Sequence, residues 1–345
     1  MMCHIPKSIS GIFKSRFNVA LLGICVAASF TAPVLAQTPD FGPNVKIIDP
    51  SMSAADIQNT LNSVNAEAQF STNRYQVFFM PGTYSTQAQV GYYEGVAGLG
   101  QSPQSVTING FLTANLTDSN GNVTDNFWRS LENMTINAPT VLQWAVSQGA
   151  DFRRMNINGP LQLTNTNCGF ASGGFISDTL VTGNVNPCSQ QQWYTRNSTI
   201  GSWSGGVWNM VFSGVQGAPI PQYPTGNRYT VLPTTPVSRE KAFLYVDGNS
   251  AFNVFVPDAQ RNSSGITWAN GNQNGYSLPI NTFFIAKPST ALADINNALL
   301  LGQNLILTPA STSTPAPSTS PTPTPSSSAW ATQPSCPRTA PPPSP

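Results

Sequence analysis

Between Tyr75 and Gly110 the chain runs YQVFFMPGTYSTQAQVGYYEGVAGLGQSPQSVTING, and its apolar positions come in short bursts rather than on a helical period. The pattern predicts an apolar strand over Val77–Met80, a turn at Pro81-Gly82 and a short strand closing on Tyr84. A second strand leads into a tight corner at Gly98-Leu99-Gly100, and a third spans Ser105–Asn109. Short strands broken by Gly and Pro corners, with no helix between them, point to sheets built by winding rather than by hairpins. A parallel β-helix begins this way, each coil burying its inward side chains against the next.

Upstream, Ala54, Ile57, Leu61 and Val64 fall on one face of a helix over Ala54–Val64, with Ser51 or Ser53 as its cap. Such a helix would plug the open end of the coil stack and cover a sheet edge. From Phe127 onward a coil of roughly 20 residues repeats. Its inner strands read LENMTIN (Leu131–Asn137), FRRMNING (Phe152–Gly159), FISDTLVTG (Phe175–Gly183), YTRNSTIG (Tyr194–Gly201) and VWNMVFSGVQG (Val207–Gly217). Asn133, Asn156 and Asn197 recur near these strands, either as a stacked amide ladder or as solvated turn residues. Gly217–Pro236 is a Pro-rich excursion, and the strands Ala242–Val246 and Ala251–Val256 that follow are more hairpin-like. Arg261–Leu278 reads as a polar loop and Pro279–Ala286 as a returning strand.

The opening logic then recurs. Ser289–Pro309 repeats Ser51–Pro81: a small polar start, an amphipathic helix, and an apolar strand ending in Pro. Asp56-Ile57-Gln58-Asn59 aligns with Asp294-Ile295-Asn296-Asn297, and Phe78-Phe79-Met80-Pro81 with Ile306-Leu307-Thr308-Pro309. After Pro309 the likeness stops. Ala310–Pro345 is almost wholly Pro, Ser, Thr and Ala, the composition of a disordered linker or O-glycosylated stalk. A frameshift is the sharper expectation. Shifted by one base, the codons of Pro309–Thr312 can spell Gly-Val-Tyr, which restores the partner of Pro81–Tyr84. Those of Pro325–Ala331 can spell apolar residues and a Gly-Leu-Gly corner, so the chain would continue into a second, truncated β-helix repeat.

Only 8% of the 345 residues are charged, against a usual share of about 25%, and the net charge is +1. No nucleic-acid footprint follows from that, and the abundant amides and hydroxyls suit sugars as partners. Lys7, Lys14 and Arg16, the apolar run Val19–Phe30 and Val34-Leu35-Ala36 form a secretory signal over residues 1–36. The run is too short to span a bilayer comfortably, so no membrane association is expected once the signal is cleaved. Of the cysteines, Cys168 and Cys188 remain in the body of the chain, as one disulfide between neighbouring coils or as two free thiols. The single histidine, His4, lies in the signal, which excludes Ser-His-Asp and Cys-His catalysis and His-based zinc sites from the mature chain. No cofactor and no metal are expected, and a monomer is.

With PGTY, GLG and the duplication, the chain over about Lys46–Pro309 resembles the pectin-lyase-like superfamily, and in particular the N-terminal half of tandem β-helix proteins such as family 55 exo-β-1,3-glucanases. The resemblance implies an all-β, right-handed parallel β-helix over residues 37–286 with a short N-terminal capping helix, a second repeat starting at 287–309 and a disordered tail over 310–345. It also implies a catalytic acid on a second helix, so no catalytic residue carries over by motif.

A histidine-free hydrolase of glycosidic bonds works with paired carboxylates. Arg239-Glu240-Lys241 is the densest charge cluster, near Asp247 and Asp258 in sequence. A carboxylate between two cations suits a nucleophile or base, and otherwise a structural ion pair. Asp151, beside Arg153 and Arg154, is a fourth candidate, with a corner cap as its plainer role. Trp144, Trp193, Trp203 and Trp208 read as core packing when taken one at a time, and as a group two or three of them are candidate platforms for pyranose rings. Gln192, Arg239 and Lys241 would supply hydrogen bonds to hydroxyls. The expected function is therefore a secreted (extracellular or periplasmic) carbohydrate-active protein, the N-terminal half of a β-glucan hydrolase. The alternatives are a non-catalytic polysaccharide-binding β-helix and an inactive truncated product.

Overall fold

The computed structural model describes residues 38–309, except Tyr223, Thr225, Asn227, Gly271 and Asn272. The expected signal (Met1–Ala36) and tail (Ala310–Pro345) lie outside the described residues. The fold is an all-β parallel β-helix. Nine strands form one parallel sheet in chain order: Val45–Ile48, Tyr75–Phe79, Glu94–Gly98, Arg129–Glu132, Ser147–Arg153, Gly173–Ser177, Gln192–Arg196, Asn209–Ser213 and Tyr229–Leu232. The facing parallel sheet takes Gly82–Gln89, Val106–Thr113, Thr135–Asn137, Asn156–Ile157, Leu180–Cys188 and Thr199–Gly205 in turn. The short strands Leu142–Gln143 and Leu161–Gln162 extend this sheet beside the far half of Leu180–Cys188.

Register explains the core. Val77, Val96, Leu131, Phe152, Ile176, Thr195 and Phe212 stand side by side along the first sheet. Tyr84, Ile108, Ile136, Ile157, Val181 and Ile200 do the same along the second. Both columns are buried. Because strand side chains alternate, the residues between them point outward.

The sequence patterns LENMTIN, FRRMNING, FISDTLVTG and YTRNSTIG are not single strands. Each spans a strand of the first sheet, a corner, and a strand of the second. The corner residues are Asn133, Arg154, Asp178, Asn197 and Gly214, at φ of 57°, 52°, 49°, 44° and 62°. Asn and Asp tolerate this left-handed region, while Arg154 bears a strain that its buried hydrogen bonds must offset. The polar ladder thus includes Asn133 and Asn197, but Asn156 sits on a strand instead, bonded to Thr135 Oγ1 at 3.1 Å. At the ladder's first rung, Asn133 Nδ2 donates to the carbonyls of Gly98 (2.8 Å) and Gly100 (2.7 Å). A Cβ on Gly98 would lie 2.2 Å from the Asn133 carbonyl, which is why the GLG corner needs its first glycine.

The helix Ala54–Asn65 is capped by Ser53, whose side chain accepts from Asp56 N at 3.1 Å. Ile57, Leu61 and Val64 close the end of the core. Residues 235–279 leave the winding and form antiparallel pairs: Thr235–Ser238 with Gln260–Ser263, and Phe243–Val246, Phe252–Pro257 and Gly275–Pro279 as a three-stranded sheet. The polar stretch expected to be loop thus contributes two strands. Phe283–Ala286, the helix Leu292–Leu300 and Asn304–Leu307 then repeat the opening strand–helix–strand unit, again with parallel pairing. Cys168 and Cys188 form a disulfide between coils, with Cα atoms 5.6 Å apart.

Candidate functional site

Two outward rows cross the nine-stranded sheet. The first carries Ser130, Asp151, Phe175, Tyr194 and Val211 on successive coils; the second carries Glu132, Arg153, Ser177, Arg196 and Ser213. The 235–279 extension leans over the second row and leaves the first open. Arg196 Nη2 reaches Glu240 Oε2 at 2.7 Å, and Lys241 Nζ reaches Glu132 Oε1 at 2.8 Å. On the open row the Phe175 ring lies 5.4 Å from Tyr194, with the guanidiniums of Arg153 and Arg196 over it at 4.5 and 5.6 Å. Arg153 is held in turn by Asp151 Oδ2 at 3.2 Å.

Behind the second row lies a buried charge cluster. Arg154 donates through Nε to Asn133 Oδ1 (3.0 Å) and through Nη1 to Asp178 Oδ2 (3.1 Å) and Gln273 Oε1 (2.6 Å). Burial pushes the Asp178 carboxyl up to about 7, with Arg154 opposing the shift and Glu240 adding to it. A cavity of about 20 Å³ between Glu240, Asp178 and Gln273 has room for roughly one water molecule. One Glu240 oxygen and the Gln273 amide nitrogen have no protein partner there.

The structure gathers some of the sequence candidates and scatters others. Asp151 lies on the first outward row, and Glu240 and Lys241 reach onto the second through Arg196 and Glu132. Arg239 stands at the edge of this region, donating to the Pro257 carbonyl at 2.8 Å. Asp247 lies elsewhere and closes a hairpin turn, accepting from the amides of Asn249 (2.9 Å) and Ala251 (3.0 Å). Those bonds lower its pKa and occupy its carboxylate, so it is a turn residue. Asp258 is exposed just past the strand Phe252–Pro257, away from Asp247 in register.

Trp144, Trp193 and Trp203 are 0%, 3% and 8% exposed in the core, so they present no face to a ligand. They fill the width between sheets, a task that alternation assigns to inward positions. Trp208 is exposed. Gln192 is exposed at the start of its strand, whereas neighbouring Gln190 is spent inside, donating to the carbonyls of Val146 and Leu163. Phe175, Arg153 and Arg196 were missed as site residues. Their signal was positional: the residue just before each polar corner lies on the second row, and the one two earlier on the first.

The open row offers an aromatic face beside paired donors and acceptors, suited to a neutral polyhydroxylated ligand. Among the described residues no cluster of three or more His, Cys, Asp or Glu is placed to hold a metal.

No description of a known protein family matches the chain. It is 48% identical over 275 residues to an exo-β-1,3-glucanase of Streptomyces sp. (strain SirexAA-E / ActE), a match covering 78% of this chain and 45% of that enzyme. The solved structure of sacteLam55A from Streptomyces sp. SirexAA-E superposes with a TM-score of 0.75 at 48% identity, over 80% of this chain and 50% of that one. A variant of sacteLam55A in complex with glucose gives the same TM-score at 47% identity. The chain spans about half the length of these relatives. It therefore resembles one β-helix portion of a family 55 exo-β-1,3-glucanase, in fold and in sequence.

Proposed function

We propose that this chain is the saccharide-binding β-helix of a secreted glycoside hydrolase acting on β-1,3-glucan, with Asp151, Phe175 and Tyr194 forming one wall of the substrate cleft. The observation that carries this reading is the 48% identity to an exo-β-1,3-glucanase across most of the chain. The glucose held by a variant of the similar structure supports a saccharide as ligand. A disulfide between coils supports export, since such bonds persist in oxidising compartments. The chain acts as a monomer in this reading.

Hydrolysis needs two carboxyl groups across the scissile bond, about 5 Å apart for retention or 6.5–9.5 Å for inversion. On the open row only Asp151 carries one, and it is tied to Arg153. Glu240 is enclosed and ion-paired. We therefore assign the missing acid to further coils wound onto the strand Asn304–Leu307, and Glu240 to fixing the extension and Arg196.

The test is to incubate the chain with β-1,3-gluco-oligosaccharides, alone and extended by its second β-helix, and to follow binding and release of reducing sugar. Binding by both with hydrolysis only in the extended chain supports the proposal. Binding without hydrolysis in either form favours a non-catalytic polysaccharide-binding protein, which the lack of a second carboxyl on the open row also suits. Absence of binding in both overturns it.

A further inference from the structure

Upstream of the open row, the same sheet carries a stack of planar groups. Arg74, Tyr93 and Trp128 each stand just before a strand, on three successive coils. The Arg74 guanidinium lies 3.2 Å from the centroid of the Tyr93 ring, and the Trp128 ring covers the opposite face at 4.9 Å, only 3° from parallel. That separation matches the spacing of neighbouring strands, so the stack advances one planar group per coil. Tyr93 and Trp128 both have left-handed backbones, at φ of 53° and 45°, and Tyr93 N donates to the Trp128 carbonyl at 2.9 Å.

The next coil breaks the series. Register sets Gly149 level with Trp128, and it has no side chain to continue the stack. Gly149 is exposed and Trp128 is 47% exposed. A Cβ on Gly149 would lie 2.5 Å from Trp128 Cδ1, so any side chain there would collide with the ring. The glycine keeps the outer face of the indole clear. Two residues on, Asp151 points to the same outward side and edges the notch. Its side chain is 40% exposed, and Arg153 engages Oδ2 at 3.2 Å, leaving Oδ1 to accept elsewhere.

We propose that the notch over Gly149 is a further saccharide subsite, in which a glucosyl ring takes the next place in the stack. Its C–H face lies on Trp128 and its hydroxyls donate to Asp151. The inference rests on the reading of the open row as a β-1,3-glucan cleft and lengthens that cleft, since Asp151 borders both. Charge selects the ligand class. An aromatic face beside a carboxylate also suits an organic cation, but Arg153 already neutralises Asp151 and would repel one. A neutral polyhydroxylated ring meets no such opposition, and its apolar face matches the indole. Tyr194 lies two coils from the notch and two residues along the strand, about 12 Å away. A glucan touching both therefore spans more than one sugar ring.

Calorimetric titration of the full chain with a β-1,3-linked hexasaccharide tests this in three proteins. They are the wild type, Trp128→Gly, which suits the left-handed backbone while removing the ring, and Trp128→Tyr, which restores a ring face. Trp128→Gly should weaken binding at least about tenfold, and Trp128→Tyr should stay within about threefold of wild type. Wild-type binding with equal affinity in Trp128→Gly overturns the subsite and leaves the open row standing. A tyrosine variant as weak as the glycine variant overturns the stacking, because a second ring face would then restore nothing. Absence of binding by the wild-type chain overturns both the subsite and the reading it rests on. If Trp128→Gly does not fold, the Trp128 indole N–H resonance is followed by NMR through the same titration of the wild-type chain. A saturable shift supports the subsite, and a resonance unmoved at saturation overturns it. The buried Trp268 indole, bonded to the Asp178 carbonyl, is the reference that should not move.

Discussion

The units Val45–Phe79 and Phe283–Leu307 share a plan: a strand, a Pro-Ser turn at Pro50-Ser51 or Pro288-Ser289, an amphipathic helix and a parallel partner strand. Asp56-Ile57 and Asp294-Ile295 occupy the same places in the two helices. Their surroundings differ. In the first unit Gly82–Gln89 packs under the helix, Glu94–Gly98 pairs with the second strand, and Leu61 and Phe79 are 1% and 0% exposed. In the second unit Leu300, Leu301 and Leu307 are 72%, 80% and 69% exposed, and of the helix only Ala298 is buried. The same local pattern is a core in one place and an uncovered apolar surface in the other. The apolar stripe specifies the helix, whereas the coil that follows decides whether the stripe stabilises anything. Exposed apolar area of this kind, beside an open strand edge, is the mark of an interaction surface.

The largest difference between the units should appear in their matching leucines. Leu61→Ala should cost about 3 kcal/mol, because it leaves a cavity under a closed cap. Leu299→Ala, at the equivalent half-buried place, should cost less than about 1 kcal/mol. Urea midpoints of the two variants measure this, and equal shifts would show that the second helix is covered after all.

The coil covering the first unit also brings in a buried acid that the second unit lacks. Burial pushes Glu94 up to about 7, against a backbone hydrogen bond from Gly91 and the nearby Arg129. Its folded pKa is raised, so its stabilisation is complete below the ordinary glutamate range and is lost as pH rises through about 7. Wild-type stability should therefore fall between pH 5 and pH 8, and Glu94→Gln should remove about 2 kcal/mol of that fall. A variant with the wild-type slope would place the titration elsewhere.

The smallest effect concerns the caps. Ser53 caps the first helix through its side chain, whereas Ala291 at the second has no side-chain cap. Ser53→Ala should destabilise by about 1 kcal/mol. Ala291→Ser should raise the helical content of the second unit without moving the main unfolding transition, and circular dichroism during a melt separates the two.

The winding, the capping helix and the duplication were legible because each rests on local pattern: bursts of apolar residues, a capping serine, a repeated Asp-Ile. The corners were not. A left-handed Arg154 or Asp178 looks like any polar residue in a strand, and only the register between coils reveals that it stacks on Asn133 and Asn197. The tryptophans stayed undecided between core and groove for a related reason, since an aromatic residue reads the same whether it faces in or out. Trp193 and Tyr194 are neighbours in sequence, yet one packs the core and the other faces the open row. The clustering of Glu240 with Arg196 is likewise a contact across 44 positions that no spacing announces.

The open row is the account's central claim, and calorimetric titration with a β-1,3-gluco-oligosaccharide tests it most directly. The wild-type chain should bind saturably, and Tyr194→Ala, which removes an exposed ring without opening the core, should weaken binding at least about tenfold. Equal affinity in the two proteins, or no binding in either, would contradict it.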